Sequence, residues 1–268
     1  MGRRSSPGPE GLGPAERALL VEGARAFGLA LGADQVAQFD RYLRELLDWN
    51  RRVNLTAITE PRAVVIRHFL DSLSCLLAFP AGEGLAVIDV GTGAGFPGLP
   101  LKIARPDLRL TLLEATAKKV RFLEHVVQVL GMSSVVVIWG RAETLAHDPD
   151  HHERYDCVVA RALAELAALA ELCLPFARLG GRVIAPKKGA VAAEIARART
   201  AISLLGGRLW EPVPVTLPEE PERRFLVVIE KVQPTPPRFP RRPGMPVRRP
   251  LGVSRGRPME GEAWSASA

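Results

Sequence analysis

The stretch VIDVGTGAGFPGLPLK, residues 87–102, sets an aliphatic run carrying Asp89 directly ahead of Gly91, Gly93, Gly95 and Gly98, four glycines in eight residues. Glycines at this density let the chain bend sharply and let backbone N–H groups approach a ligand with no side chain between them. Pro97 presets the backbone for a following helix. A strand, a glycine turn and a helix in that order form the usual ligand cradle of a parallel α/β sheet.

Outward from this turn the pattern repeats. Short strand-like runs at 85–90, 108–113, 135–139, 155–160 and 181–184 alternate with stretches of helical period, and a hairpin-like pair near 209–215 and 225–232 closes the series. That alternation predicts an α/β fold, a doubly wound, mostly parallel seven-stranded sheet with an antiparallel edge and helices on both faces. Ahead of it, helical period covers 14–31, a second segment from Asp34 as N-cap, and a third from Pro61 to about residue 79. The chain therefore reads as an N-terminal extension (1–13, Gly/Pro/Ser-rich and expected to be disordered), N-terminal helices packed on the core (14–80), a cofactor-binding domain (81–233) and a basic Pro/Arg-rich tail (234–268).

With 268 residues, 47% of them hydrophobic, the chain can bury a substantial core. No run reaches the roughly eighteen apolar residues of a membrane span, and the first residues lack the apolar segment of a secretory signal, so a cytoplasmic protein without a membrane partner is expected. Cys75, Cys157 and Cys173 lie far apart with no metal-ligand spacing and read as small buried hydrophobes; no metal is expected. The formal charge of +7 sits mostly in the tail, where seven arginines face two glutamates. Such a tail is either a solvated extension or an arm that contacts phosphates. Lys118, Lys119 and Arg121, opening a helix beside the glycine turn, leave the same two readings.

Two cofactor classes use this architecture. Residues 93–98 match the dinucleotide fingerprint GxGxxG, but two further residues, Gly91 and Thr92, intervene after the strand, so the register is wrong for a dinucleotide. Asp89 would also repel a pyrophosphate, whereas it resembles the acidic position that methyltransferases use toward the ammonium-bearing methionine part of S-adenosylmethionine. Glu114 closes the next strand about twenty residues on, where a ribose is bound. No GK[ST] follows the glycines, which excludes a P-loop. S-adenosylmethionine is the expected cofactor.

Several motifs in combination carry a family resemblance. Tyr42-Leu43, Trp49-Asn50, Asn54-Leu55-Thr56-Ala57-Ile58 and His68 with Asp71-Ser72-Leu73 precede the glycine turn. After it come Leu113-Glu114-Ala115, Lys118-Lys119, Gly140-Arg141-Ala142-Glu143, Ala160-Arg161-Ala162, Pro186-Lys187-Lys188-Gly189 and Arg238-Phe239-Pro240-Arg241-Arg242. From about residue 34 to residue 251 the sequence resembles the ribosomal RNA small-subunit methyltransferase G family, also called glucose-inhibited division protein B.

The resemblance implies a Rossmann-like class I methyltransferase that moves a methyl group from S-adenosylmethionine to N7 of a guanosine in 16S ribosomal RNA, free or in the small ribosomal subunit particle. By position it implies that Gly91 and Phe96 line the methionine side of the pocket, Glu114 holds the ribose, Ala142 and Glu143 flank the adenine, and Arg161 marks the end of the fourth strand. Two lysines, Lys187 and Lys188, stand where the family often has one.

Guanine N7 has a lone pair and no proton, so its methylation needs orientation rather than a general base, and no catalytic acid or base is named. The chain also lacks an Asn/Asp-Pro-Pro-aromatic loop and a Pro-Cys nucleophile, the marks of amine and pyrimidine-C5 methylation. Arg161 has a second reading as an ion-pair partner of Glu143 or Asp156, His68 as a cap or packing residue, and Trp49 as helix core. The alternative function is a methyltransferase-like fold that binds nucleic acid or aids ribosome assembly without catalysis.

Overall fold

The computed structural model describes residues 11–252. The described chain runs α1 (Pro14–Ala26), α2 (Ala33–Asn50), α3 (Pro61–Val64), a π-helical turn (Val65–Leu70), α4 (Asp71–Leu73), a 3-10 turn (Ser74–Ala78), β1 (Ala86–Val90), α5 (Gly98–Ala104), β2 (Arg109–Glu114), α6 (Ala117–Val129), β3 (Val135–Trp139), α7 (Ala142–Leu145), β4 (Tyr155–Val159), α8 (Leu166–Cys173), a second 3-10 turn (Leu174–Phe176), β5 (Ala177–Lys188), α9 (Ala192–Leu204), β6 (Gly207–Leu209), β7 (Val213–Val215), β8 (Arg224–Lys231) and α10 (Met245–Arg248).

The strands form one sheet in the order β3-β2-β1-β4-β5-β8-β6, with β7 also on β8. The first five are parallel and β8 is antiparallel to β5. The run expected as one strand at 209–215 is two short ones. β6 pairs with β8 at Gly207 to Leu209 and β7 at Val213 to Val215, with Trp210 to Pro212 between them. Among the described residues the sheet thus has eight strands in seven lanes.

Period-2 alternation sends each strand into two cores. Val87, Cys157, Val159, Leu226 and Val228 face the N-terminal helices, while Ile88, Val158, Val227 and Ile229 face α8 and α9. Full burial of each such side chain is worth about 1.5–3 kcal/mol, and Tyr42, Phe39 and Phe69 join the first core without exposure, so α1 to α4 are structural parts of the domain. Trp49 belongs there too, with its ring 5.7 Å from Phe122. The three cysteines are buried free thiols, and burial pushes Cys157 up to about 12.

Four expectations need correction. Helix α2 starts one residue before Asp34, capped by Gly32, whose N–H donates to Gln35 Oε1 at 2.8 Å. Asp34 sits in the first turn, where the helix dipole favours an acid. The first helix ends at Ala26, five residues early, because Gly28 takes φ +78°. Of the N-terminal extension, residues 11–13 are part of the fold: Leu12 is buried, and its N–H donates to Asp40 Oδ1. The tail is folded as far as Gly252, because Phe239 enters the second core and Arg241 pairs with the fully buried Glu171 at 2.6 Å. Arg255, Arg257, Glu260 and Glu262 lie outside the described residues.

Candidate functional site

The strand order reverses between β1 and β4, and the glycine turn follows β1 at that point, where open α/β sheets bind ligands. The four glycines have different physical reasons. A Cβ on Gly95 would lie 2.4 Å from Leu99 and 2.7 Å from the Tyr42 hydroxyl, and one on Gly98 2.7 Å from Leu112 and 2.9 Å from Asp89, so these two are packing glycines. Gly91, at φ +70°, looks onto Leu163 at 2.6 Å. Only Gly93, at φ +64°, points its missing side chain into open space.

The turn is held from both sides. Asp89 Oδ2 accepts from the Thr92 hydroxyl at 2.6 Å and the Gly98 N–H at 2.8 Å, which ties the start of the turn to its end. Asp89 has no exposed surface, and its Oδ1 has no hydrogen-bond partner among the described residues. Glu114, at the end of β2, accepts from Gly93 N–H at 3.0 Å through Oε2 and from Thr116 N–H at 2.8 Å through Oε1. The structure therefore places Gly91, Gly93, Gly95, Asp89 and Glu114 together. Ala142 and Glu143 open α7 after β3; Glu143 is buried and accepts from the Gly244 N–H of the folded tail at 2.8 Å.

Phe96 is covered rather than open. His68 stacks on it at 4.4 Å and Tyr42 at 5.3 Å, and the Arg161 guanidinium lies over the ring at 5.0 Å. The ion-pair partner of Arg161 is neither Glu143 nor Asp156 but Asp71, at 3.0 Å. Asp71 also accepts from Arg224 at 2.7 Å, so one buried carboxylate spans two guanidiniums. Arg161 Nη2 lies 3.1 Å from His68 Nδ1, and since a guanidinium only donates, that contact makes Nδ1 the acceptor and puts the proton on Nε2, 2.8 Å from Thr56 Oγ1, while the Arg67 carbonyl, 3.2 Å from Nδ1, accepts from Arg161 Nη1 at 3.0 Å. Burial, helped by Arg161, lowers the His68 pKa to about 3, so the ring is neutral.

Beside Arg161 is a pocket of about 350 Å³, whose lining includes Ile58, Arg67, Ala162, Pro186, Lys188 and Arg224. Of the paired lysines, Lys187 donates to Glu194 and the Ala164 carbonyl, while Lys188 stays half exposed. A larger cavity of about 830 Å³ lies near Trp210, Ile195 and Phe225 and gathers none of the expected site residues. Sequence reasoning overlooked Arg224 and the double role of Asp71. No spacing could have signalled them, since residues 71, 161 and 224 meet only through the sheet.

Burial also pushes the Asp89 carboxyl up to about 7, against the opposing hydrogen bonds from Thr92 and Gly98. An unfolded aspartate titrates near 3.9, so between about pH 4 and pH 7 the folded state holds a proton that the unfolded state releases, and stability falls as pH rises through that window. His68 has the opposite sign. Its folded pKa lies below the unfolded ~6.5, so stability falls as pH drops from about 6.5 toward 3. The two slopes oppose each other between about pH 4 and 6.5. Asp89→Asn removes the first and should lose stability more steeply on acidification than the wild type, read as urea midpoints at several pH values. Equal slopes would refute a protonated Asp89.

A family model described as rRNA small subunit methyltransferase G matches residues 35–218. The chain is 55% identical over 233 residues to the ribosomal RNA small subunit methyltransferase G of Roseiflexus sp. (strain RS-1), covering 87% of this chain and 99% of that one. To the protein of the same name from Pelotomaculum thermopropionicum it is 51% identical, covering 87% and 97%. Among solved structures, a chain from the complex of the Haloferax volcanii Trm112 methyltransferase activator superposes with a TM-score of 0.50 at 15% identity, over 62% of this chain and 90% of that one. A SAM-dependent methyltransferase from Aquifex aeolicus gives 0.47 at 19% identity, over 65% and 94%.

Proposed function

The chain belongs to the rRNA small subunit methyltransferase G family, and on that premise we propose that it transfers a methyl group from S-adenosylmethionine to N7 of a guanosine in 16S ribosomal RNA, free or in a small-subunit particle. The observation that carries the cofactor reading is the glycine turn at the switch point, where Gly93 opens onto free space and its N–H is held by Glu114. A dinucleotide reading is disfavoured by the register, since Gly91 and Thr92 stand between the end of β1 and Gly93.

The cofactor, when bound, supplies an electrophilic methyl group on a sulfonium. In this reading Gly91 and Gly93 present backbone to it, and Glu114 has lone pairs left over from Gly93 and Thr116 for ribose hydroxyls. Ala142 and Glu143 flank the adenine. Asp89 and Phe96, both buried, act from behind: Asp89 fixes the turn's two ends, and Phe96 joins it to His68 and Arg161. The attacking N7 carries no proton, so the chain needs no general base. Its task is to hold the guanine edge still and dry at the ends of β4 and β5.

The decisive experiment is mass spectrometry of 16S RNA from a strain lacking the protein. One methyl lost from a single guanosine, restored by the purified protein with S-adenosylmethionine, is expected. An unchanged RNA, together with no cofactor binding in calorimetry, would instead favour a binding or assembly protein. Within the site, Glu114→Gln should weaken cofactor affinity by about 1–2 kcal/mol, because the amide keeps one acceptor but turns a donor toward N–H groups. An effect on RNA affinity with cofactor affinity unchanged would remove Glu114 from the cofactor site.

A further inference from the structure

The loop joining β7 to β8 contains Glu219, Glu220, Glu222 and Arg223 and is anchored by the buried Leu217. Its three carboxylates each meet cations on the rim of the pocket beside Arg161 or on the neighbouring α3. Arg62 donates through both Nε, at 3.0 Å, and Nη2 to Glu219. Arg67 Nε donates to Glu220 at 2.6 Å, and Lys188 Nζ lies 4.0 Å from Glu222. Arg224 also reaches Glu220, at 3.2 Å, but its deeper partner is the buried Asp71.

Exposure separates these pairs into two kinds. In Arg62–Glu219 and Lys188–Glu222 both partners are 40% exposed or more, so these pairs are screened by solvent and exchange at little cost, whereas Arg67 is 48% exposed but its partner Glu220 only 10% and held by Arg224 as well. Arg224 and Asp71 are 4% and 6% exposed, and breaking that pair would strand charge in the interior. A guanidinium that takes a carboxylate in a two-point contact, as Arg62 does, takes a phosphate by the same fork. Arg67 and Lys188 line the pocket beside Arg161, and Arg62 stands on the neighbouring α3.

Resting on the methyltransferase reading, we propose that Arg62, Arg67 and Lys188 form the surface that docks the RNA backbone, and that RNA phosphates replace Glu219 on Arg62 and Glu222 on Lys188 when RNA binds, while Arg67 takes a phosphate through its exposed side and keeps Glu220. The loop carboxylates then act as built-in competitors. They hold the rim cations in place and lower affinity for polyanions that cannot also fill the pocket.

The test is a salt titration of the affinity for a 16S RNA fragment containing the methylated guanosine, run beside cofactor calorimetry and methyl transfer. Each of Arg62→Gln, Arg67→Gln and Lys188→Gln should flatten the log–log salt slope by roughly 0.7 to 0.9 per lost contact and leave cofactor affinity unchanged. Glu219→Gln and Glu222→Gln should tighten RNA binding about two- to fivefold each at low salt, the size expected for removing an exposed competing ion pair. Asp150→Asn, on the loop ahead of β4 at the other end of the sheet, makes the same change in net charge and should leave affinity unchanged. Thermal melting checks that every variant is folded. Slopes parallel to the wild type in the three cation variants, or equal tightening in Asp150→Asn, overturn the proposal. A wild type that binds RNA with these slopes but transfers no methyl overturns the function and leaves the docking surface standing.

Discussion

Gly93→Val is expected to reduce S-adenosylmethionine affinity at least a hundredfold while the protein stays folded. At the neighbouring glycines an added Cβ meets the protein itself, so loss of binding there could be loss of packing. Gly93 is different: nothing among the described residues beyond its chain neighbours lies within 4 Å of its Cβ position, so a side chain would enter open space. The backbone cost of holding a β-branched residue at φ +64° is on the order of 1–2 kcal/mol, which a domain with two extended cores can absorb. A hundredfold loss corresponds to about 2.7 kcal/mol and must come mainly from the ligand's excluded volume and from disturbance of the Gly93 to Glu114 hydrogen bond. Gly93→Ala separates the two contributions, since it adds most of the backbone strain and little of the volume. Calorimetry on melting-checked protein decides the matter. Wild-type affinity in a folded Gly93→Val variant would mean that the open space at Gly93 is not the cofactor's.

The sheet was legible because its central strands are buried on both faces and its strands are separated by helical period, a signal that depends on no distant contact. The glycine turn was legible for the same local reason, and Asp89 and Glu114 came with it. What the turn's glycines do was not. Sequence treats four glycines alike, whereas Gly95 and Gly98 are small because Leu99, Tyr42, Leu112 and Asp89 crowd them. Asp89 reads from sequence as a ligand-facing acid, yet its carboxylate is spent on Thr92 and Gly98 behind the turn. The tail misled for a different reason. Its arginines and prolines look solvated, as Arg238, Arg242, Arg248 and Arg249 are, but the deciding partner of Arg241, Glu171 on α8, is seventy positions away with nothing in either segment to announce it. Buried charge pairs of this kind are set by three-dimensional placement, so charge counts along the chain assign such residues to the surface.

Asp71→Ala is expected to be the most destabilising single substitution near the site, by about 3–5 kcal/mol. Asp71 is buried and gives one oxygen to Arg224 and the other to Arg161, so its removal leaves two guanidiniums without their carboxylate at once. Arg224 already has a buried Nε without a partner among the described residues, and its remaining anion there, Glu220, is shared with Arg67. Arg224→Ala should cost less, about 1–3 kcal/mol, because Asp71 then keeps Arg161 and no charge is stranded. This ordering separates a charge-balance role from simple packing, which would rank the larger arginine side chain first. The readout is the urea midpoint at constant m-value, so that a change in the unfolded state is not mistaken for lost stability. Methyl transfer should fall further than stability in Asp71→Ala even where the variant is fully folded, since Arg161 loses the partner that holds it over Phe96 and against His68. If Arg224→Ala proves more damaging than Asp71→Ala, the carboxylate is not the keystone of the cluster, and the position of Arg161 must instead be maintained by the Arg67 carbonyl and His68.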